Sequence, residues 1–274
     1  MVAQSTETGE QMIGFIGGGN MAEALIKGIL ASGVKQDIIV SEPREERCSY
    51  LEKTYAVKTI SDNRALCAQS TIIILAVKPQ NMDEVTGEIS DVIPQDAIII
   101  SIAAGITLSY LSMRLKTSKI VRVMPNTPAL VQEGMSVLSL CECIPGREMD
   151  LVRGIFMSVG KVIVLPEEYM DAVTALSGSG PAFFALFAEK MIEAGVALGL
   201  PLEHASELAI QTFIGTARLL DSGMPPAKLR EMVTSPGGTT AAGLGVFEVH
   251  GLAGLINEAI HEAARRSKEL GRKE

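Results

Sequence analysis

The glycine-rich segment at residues 17–22 (GGGNMA) is the part of the sequence whose residue types and spacing point most directly to chemistry. It follows the short apolar run Met12–Ile16 and opens a stretch in which apolar residues recur at a helical spacing. A G-x-G-x-x-A pattern between a strand and a helix is the dinucleotide-binding fingerprint. In this pattern Gly17 permits a tight turn, Gly19 lets the backbone approach a pyrophosphate, and Ala22 allows close helix–strand packing. The helix N-terminus then offers free N–H groups to the anion; the alternative interpretation is a plain glycine-rich turn.

Two further glycine-rich segments precede helical patterns, at Leu176–Ala182 (LSGSGPA) and at Ser235–Thr240 (SPGGTT). Small hydroxyl residues, and a proline just inside a helix, are typical of helix N-termini. Each segment by itself is interpreted as a helix cap, although either could also hold an anion with its backbone amides. Neither is a P-loop, because GxxxxGK[ST] is absent. Two such segments in one half of the chain raise the hypothesis of a small carboxylate substrate held by backbone N–H groups.

Glu42 and Arg44 follow the second predicted strand, about 20 residues beyond the glycines. At this position an acid binds the ribose 2′-hydroxyl and favours NAD, whereas an arginine accepts a 2′-phosphate and favours NADP. The two residue types favour different cofactors, so both NADPH and NADH stay open. The alternative is a solvated loop that carries two surface charges.

The loops after the fourth and fifth strands of the usual 3-2-1-4-5-6 order are expected to face the glycine turn. The first of these loops, after Thr71–Val77, contains Lys78, which would reach a cofactor phosphate or the nicotinamide ribose. A lone surface lysine is the more common explanation of such a residue. The second loop, Ser101–Gly105, consists largely of small residues that leave room for a flat ring against the backbone.

Metal and hydrolytic chemistry lack the residues that they need. Cys141-Glu142-Cys143 would place two thiols on one strand face, but no second Cys or His pair accompanies them, and a zinc site needs about four ligands. No Ser–His–Asp or Cys–His arrangement is convincing. We therefore expect no metal, and we expect chemistry that belongs to an organic cofactor while the protein supplies orientation and electrostatics.

The composition excludes further classes. The chain has 274 residues, a formal net charge of −8 and no apolar run of the about 18 residues that suggest a membrane span. A general nucleic-acid binder would show a basic stripe instead. Four cysteines, two of them isolated, are not a disulfide framework, so a cytoplasmic location is expected. Residues 1–11 are polar without Lys or Arg, and we expect a disordered tail rather than a signal or transit peptide.

Apolar strands alternate with helical segments in the first part of the chain, which predicts an α/β domain with a doubly wound, mostly parallel sheet. Only helical patterns follow Pro166, so the predicted domains are 1–166 and 167–274. The helix at Pro181–Leu198 is apolar nearly all round and is expected to be buried, either in its own subunit or against a second one. The predicted strands are Met12–Ile16, Ile38–Val40, Thr71–Val77, Ala97–Ile102 and Lys119–Met124, with Met135–Leu140 and Lys161–Leu165 at the sheet edge. The predicted helices are Asn20–Leu30, Pro43–Lys53, Pro181–Leu198, Leu202–Leu220 and Gly254–Leu270, and Asn81–Ile89 is predicted to be a helical or turn segment.

Together these motifs resemble the pyrroline-5-carboxylate reductase family. The resemblance runs from Ile13 to about Leu270, and its most specific motif is VTSPGGTTAAGL at Val233–Leu244. It implies an N-terminal Rossmann domain that binds NAD(P), an all-α C-terminal domain for dimerisation and substrate binding, and homodimers that sometimes form rings. The other matching segments are FIGGGNMAEALIKGI near the start, AVKPQ (Ala76–Gln80), SIAAGI (Ser101–Ile106), RVMPNTPA (Arg122–Ala129) and LSGSGPAF (Leu176–Phe183).

The same resemblance implies a reaction: hydride passes from NAD(P)H to the C=N bond of 1-pyrroline-5-carboxylate and gives L-proline, the last step of proline biosynthesis. It implies that Thr240 directs its hydroxyl near the ring nitrogen as the catalytic group. The implied substrate contacts come from Ser235, Gly237, Gly238, Thr239 and Thr240, with Met124, Pro125 and Asn126 near the nicotinamide and the substrate. The implied cofactor contacts come from Gly17, Gly19, Asn20, Met21 and Ala22 at the pyrophosphate, and from Val77, Lys78, Pro79, Ala103 and Ala104 at the ribose and nicotinamide. Pro43 follows Glu42 where NADP-preferring relatives commonly have Asn-Arg or Ser-Arg, so the resemblance leaves the preference open.

Two other functions stay open at this point. Another two-domain dehydrogenase, such as a β-hydroxyacid dehydrogenase or a reductase of other imines, would share the first glycine motif. The former family carries its catalytic lysine in G-x-x-x-K-x-x-N, a setting that Lys190 lacks, and SPGGTT is foreign to it. A non-catalytic nucleotide-sensing protein would have a degraded substrate segment, whereas Ser235–Thr240 is complete.

Overall fold

A computed structural model describes residues 12–33, 36–140 and 144–271 of the chain. The expected tail at 1–11 and the Cys141-Glu142-Cys143 segment lie outside the described residues. The described strands are β1 (Met12–Ile16), β2 (Asp37–Ser41), β3 (Lys58–Ile60), β4 (Ile72–Leu75), β5 (Ile98–Ser101), β6 (Ile120–Met124), β7 (Gly134–Leu140) and β8 (Gly160–Val164). The described helices are α1 (Asn20–Ala31), α2 (Glu45–Tyr55), α3 (Asn63–Gln69), α4 (Met82–Ile89), α5 (Leu108–Leu115), α6 (Gly146–Met157), α7 (Met170–Val173), α8 (Gly180–Ala197), α9 (Leu202–Asp221), α10 (Pro226–Met232), α11 (Thr239–Val249) and α12 (Leu252–Leu270).

The eight described strands form one sheet in the order β3-β2-β1-β4-β5-β6-β7-β8. All neighbours pair in parallel except β6 and β7, which are antiparallel. The predicted doubly wound, mostly parallel sheet is therefore confirmed, and β1 and β4 are neighbours as the usual order requires. The short strand β3 is one that the sequence pattern does not predict. Its three residues, Lys58–Ile60, lack the apolar run of the central strands.

Isoleucine-rich central strands explain why the sheet forms where it does. All four residues of β4 and all four of β5 are buried, as expected for strands covered on both faces. Alternate side chains enter two apolar clusters on opposite faces of the sheet. Phe15 and Ile74 belong to the first cluster, and Ile16 and Ile73 to the second.

The described chain divides into two compact units: residues 12–179 together with 263–271, and residues 180–262. The first unit contains the sheet, and the end of α12 belongs to it through a 2.7 Å hydrogen bond from Ser267 Oγ to Asp171 Oδ1. The second unit consists of helices. These units are defined by contacts, and the predicted domain boundary at residues 166 and 167 stays a prediction.

The helices of the second unit leave much apolar surface uncovered. Helices α8 and α9 pack through Phe187 and Phe213, whose ring centroids lie 6.1 Å apart. Yet Gly180 is the one buried residue of α8, and Phe184 is 68% exposed. The interpretation of this helix as buried within its own subunit is therefore wrong.

The described part of the chain contains no single helix that is long and apolar enough to cross a membrane. Helices α11 and α12 reach that length and composition only when taken together, and they are bent by 55° at their junction.

Candidate active site

The turn between β1 and α1 takes its shape from Gly17. The backbone of Gly17 has φ +98°, a conformation that side chains rarely adopt. A Cβ at this position would also lie 2.7 Å from the carbonyl oxygen of Ala76, just after β4. The Gly17 N–H donates to the Ser41 carbonyl at 2.8 Å. The first glycine thus has the tight-turn role that the motif predicts, and its close neighbour is backbone from the adjacent strand.

The other two glycines of this turn differ in their surroundings. Gly18 is buried, and a Cβ on it would lie 2.9 Å from Leu51 of α2. Gly19 is the N-cap of α1 with extended backbone, and a Cβ there would meet nothing within 4 Å. No side chain caps this helix, so its first N–H groups, including those of Asn20, Met21 and Ala22, have no partner within the helix. Free N–H groups at a helix N-terminus are the arrangement that binds a pyrophosphate.

The carboxylate of Glu42 lies directly against this turn. Its oxygens accept hydrogen bonds from the Gly18 N–H at 3.0 Å, and from the backbone N–H, Nε and Nη2 of Arg44 at 3.1, 2.8 and 3.3 Å. Burial alone would raise the pKa of this carboxyl, but the bonds from Arg44 and Gly18 outweigh it and hold the pKa below its usual value of 4.5. Four donors fill the about four lone-pair positions of a carboxylate. A ribose hydroxyl could therefore bind Glu42 only after the exposed Arg44 side chain releases it.

The loops that follow β4 and β5 lie at the same sheet edge as the glycine turn. Because β1 and β4 pair in parallel, with Ile16 opposite Leu75, both strands end there. Lys78 is exposed and precedes the short 3₁₀ turn Pro79–Asn81. Val77 is half-buried against the core. The structure therefore brings these predicted cofactor residues beside the turn.

Gly105 has a packing role that its loop sequence does not suggest. Ala103 is buried and Ala104 is half-buried, but a Cβ on Gly105 would lie 3.0 Å from both the Leu270 side chain and the Gly271 nitrogen. Its φ is +78°. The close approach at Gly105 is thus made by the end of α12, and the room for a flat ring beside the small residues of this loop stays a prediction.

Met124 ends β6 in the first unit, and Pro125 and Asn126 follow it. Pro125 is buried, and the side chain of Met124 closely approaches Gly178. The Asn126 amide nitrogen donates to the carbonyl and the hydroxyl of Ser177, both at 3.2 Å. Its oxygen accepts the Met135 N–H at 2.8 Å. These bonds tie the loop after β6 to the second glycine-rich segment.

That second segment begins in a π-helical turn, Thr174–Gly178, which the sequence pattern does not predict. The Ser179 N–H donates to the Thr174 carbonyl at 2.8 Å, which is the i→i+5 spacing of a π turn. Such turns frequently mark functional sites.

The third glycine-rich segment forms a tight turn that opens α11 in the second unit. The Gly238 N–H donates to the Ser235 carbonyl at 3.0 Å, and Gly237 between them has φ +68°. Gly238 is the N-cap of α11, and no side chain caps the helix. Ser235, Gly237 and Thr239 are exposed, whereas Thr240 is half-buried. The turn therefore lies at an uncapped helix N-terminus, and its binding of an anion stays a prediction.

Sequence reasoning missed Arg47, which contacts the glycine turn from α2. Its Nε donates to the Gly18 carbonyl at 2.6 Å. A signal for it exists in the sequence, because Arg47 and Leu51 are spaced i, i+4 and therefore share one helix face.

The fold and this turn define a class before any comparison is made. A parallel sheet with β1, a G-x-G-x-x-A turn and an uncapped α1 is the dinucleotide-binding unit of Rossmann-type enzymes. Two family profiles match the chain: "NADP oxidoreductase coenzyme F420-dependent" over residues 12–105, and "Pyrroline-5-carboxylate reductase dimerisation" over residues 167–270.

Individual relatives agree with the second profile over nearly the whole chain. The pyrroline-5-carboxylate reductase of Synechocystis sp. is 42% identical over 264 residues, which is 95% of this chain and 98% of that protein. The solved reductase from Coxiella burnetii is 36% identical with a TM-score of 0.87, and it covers 95% of this chain and 98% of its own. The Plasmodium falciparum enzyme, solved with NADP bound, is 32% identical with a TM-score of 0.86, and the match covers 95% of this chain and 98% of that one.

The chain belongs to the pyrroline-5-carboxylate reductase family. This confirms the predicted family, the α/β Rossmann domain followed by a helical domain, and a nicotinamide-dependent oxidoreductase.

Proposed function

We propose that this chain reduces the C=N bond of 1-pyrroline-5-carboxylate to L-proline, the last step of proline biosynthesis, with NADPH or NADH as the hydride donor. The observation that carries this proposal is the complete Ser235–Thr240 turn at the free N-terminus of α11, in a chain that also has an open glycine turn at α1. The Ser235–Thr240 turn suits a small carboxylate, and the glycine turn at α1 suits a pyrophosphate.

The cofactor is proposed to lie along the carboxyl edge of the sheet. When bound it supplies the hydride. Gly17 shapes the turn, and the backbone N–H groups from Gly19 to Ala22 hold the pyrophosphate with the help of the helix dipole. The residues proposed to border the rest of the cofactor are Glu42 and Arg44 at the adenosine ribose, and Val77, Lys78, Pro79, Ala103 and Ala104 at the other ribose and the nicotinamide.

The substrate carboxylate is proposed to accept hydrogen bonds from the backbone of Ser235, Gly237, Gly238 and Thr239. Such bonds to a charged acceptor are about twice as strong as neutral ones, and they orient the ring. The Thr240 hydroxyl then faces the ring nitrogen, and Met124, Pro125 and Asn126 border the substrate. The hydride adds to the C=N carbon and the nitrogen takes one proton, which gives the secondary amine.

The proton is proposed to come from solvent or from a water held near Thr240, because none of the residues assigned to the site is an obvious general acid. Protonation of the imine nitrogen makes the neighbouring carbon more electrophilic, so a hydroxyl that orients this water favours hydride addition. Thr240 is half-buried, and such a water would therefore be partly screened from bulk solvent.

Assembly and location complete the proposal. The exposed apolar faces of the second unit support a homodimer, because monomers rarely expose such large apolar patches. A ring of dimers is the larger assembly that we propose to test for. A cytoplasmic location is proposed because Cys48 and Cys67 are free thiols in the described part of the chain.

The test measures oxidation of NADH and of NADPH in parallel, with and without 1-pyrroline-5-carboxylate. Thr240→Ala removes one hydroxyl, and loss of a hydrogen bond worth about 1–3 kcal/mol would slow turnover by about 5–200-fold. Thr212→Ala is the matched control, because the Thr212 hydroxyl donates to the Leu208 carbonyl of its own helix, on an exposed face of α9. Absence of oxidation with either cofactor contradicts the proposed reaction. Wild-type turnover in Thr240→Ala contradicts the role of Thr240.

A further inference from the structure

A polar cluster made of Glu23, Arg47, Tyr50 and Tyr55 joins α2 to the start of α1, directly behind the glycine turn. Both tyrosine hydroxyls donate to Glu23 Oε1 at 2.8 Å, and Arg47 donates to Glu23 Oε2. The Arg47 guanidinium also lies 5.0 Å from the centre of the Tyr50 ring, within cation–π range. Arg47 and Glu23 are largely buried, with 18% and 16% of their side chains exposed, so water screens this pair less than it screens a surface pair.

Arg47 holds the carbonyl side of the turn. Its Nε donates to the Gly18 carbonyl at 2.6 Å, and its Nη2 approaches the Gly19 carbonyl at 3.4 Å. Glu42 meanwhile accepts the Gly18 N–H at 3.0 Å. The backbone of Gly18 is therefore held at both its N–H and its carbonyl group. Glycine has more backbone freedom than any other residue, and a turn of three glycines would otherwise have to be ordered when the cofactor binds.

Arg47 also neutralises a charge that would oppose an anion. Glu23 lies in the first turn of α1, close to the N–H groups proposed to hold the pyrophosphate. Burial would raise the pKa of this carboxyl, but its bonds from Arg47, Tyr55 and Tyr50 outweigh burial and keep the pKa below its usual value of 4.5. Glu23 is therefore charged at neutral pH. Without Arg47 that charge would face a diphosphate at short range.

We propose that Arg47 is a positioning residue of the cofactor site. It fixes the carbonyls of Gly18 and Gly19 so that the N–H groups at the start of α1 face the ligand, and it neutralises Glu23 behind them. The residue acts through the turn. The inference rests on the proposed place of the pyrophosphate at residues 17–22.

The test compares Arg47→Met and Arg47→Lys with the wild type in the full-length protein. Calorimetry with NADPH gives the Kd, and steady-state assays give KM for each substrate and kcat. For Arg47→Met we expect Kd and KM for NADPH to rise about 10–100-fold, while kcat at saturating NADPH and KM for 1-pyrroline-5-carboxylate stay within about twofold. Arg47→Lys keeps the charge without the forked donors of the guanidinium, so its Kd for NADPH should lie between the values of the wild type and Arg47→Met.

The double variant Arg47→Met/Glu23→Gln separates the two effects of Arg47. Removing the unpaired carboxylate should recover at least about threefold of the lost NADPH affinity. Arg64→Met is the matched control, since it breaks the exposed Arg64–Asp91 pair elsewhere in the same unit and should leave the Kd unchanged.

Two results would overturn the proposal. An unchanged NADPH Kd in Arg47→Met with a lower Tm would show that Arg47 only stabilises the fold, and Arg47→Lys answers the same question if Arg47→Met does not fold. A missing recovery in the double variant would refute the neutralising role.

Gly19→Val tests the underlying site separately. Its Cβ would meet nothing within 4 Å, so the variant should fold and yet lose NADPH binding. If Gly19→Val binds normally, the proposed pyrophosphate site itself is wrong.

Discussion

Asn126 offers the sharpest test of how the site is held together. The family resemblance places this residue near the nicotinamide and the substrate, whereas its amide makes three hydrogen bonds inside the protein. Residue 181, four positions after Ser177, is a proline and has no N–H to give to the Ser177 carbonyl. The Asn126 amide supplies a donor to that carbonyl instead. We predict that Asn126→Ala loosens the Thr174–Gly178 turn and lowers stability and turnover together.

The magnitude follows from the groups left without partners. Asn126→Ala removes the partners of two half-buried backbone groups, the Met135 N–H and the Ser177 carbonyl. A buried polar group left unsatisfied costs about 1–3 kcal/mol, so the loss of both partners should lower the free energy of unfolding by about 2–6 kcal/mol. Asn126→Asp keeps the acceptor for Met135 but places a carboxylate oxygen against the Ser177 carbonyl, so repulsion between the two oxygens should make its loss at least as large.

Urea unfolding, followed by circular dichroism at one fixed protein concentration, measures these losses. The concentration must be fixed because association changes the apparent stability. Asn63→Ala is the control, since the Asn63 side chain donates an exposed hydrogen bond to the Glu88 carboxylate. Its loss should stay within about 0.5 kcal/mol.

A steady-state assay distinguishes a positioning role from direct contact. If Asn126→Ala unfolds like the wild type but has a much lower kcat/KM, the side chain contacts the ligand and its internal bonds are dispensable. That result would refute the reasoning from the three hydrogen bonds. Equal stability of Asn126→Ala and Asn63→Ala would refute it as well.

Three further predictions concern charge, association and packing. Because the pKa of Glu42 is lowered, its contribution to stability is present above about pH 4.5 and is lost as the pH falls through the folded-state pKa. The difference in stability between the wild type and Glu42→Gln, measured by urea unfolding, should therefore shrink below about pH 4.5. A difference that stays constant with pH would contradict this prediction. Phe184→Asp places a charge on the exposed face of α8 and should shift the chain toward monomer in analytical ultracentrifugation, whereas an unchanged sedimentation profile would mean that this face is not the interface. Gly105→Ala should lower the free energy of unfolding by about 1–3 kcal/mol, because its positive φ and its contact with the end of α12 leave no room for a methyl group. Gly87→Ala, in the exposed middle of α4, should instead be neutral or stabilising by about 0.5–1 kcal/mol, and equal losses in the two variants would rule out the packing argument.

Much of the fold could be predicted from the sequence because its signals are local. The continuous apolar runs of β4 and β5 are long enough to indicate strands buried on both faces, and the strand–glycine–helix succession around Gly17 predicts its own turn. The amphipathic helices α9 and α12 carry their periodicity in the sequence as well. The strand β3 escaped prediction because only pairing with β2 makes so short and polar a segment a strand.

The site residues divide in the same way. The sequence by itself determined the glycine turn, the SPGGTT turn at the start of α11 and the family, because each depends on residue types at fixed short spacing. Only the tertiary structure decided how tightly Gly18 is enclosed, since Leu51 and Glu42 approach it from α2 and from the end of β2. It also gave Arg47 its carbonyl partners and Gly105 its contact with the end of α12. Such contacts join residues far apart in the chain, and their distances depend on how helices pack on the sheet, which no local pattern records.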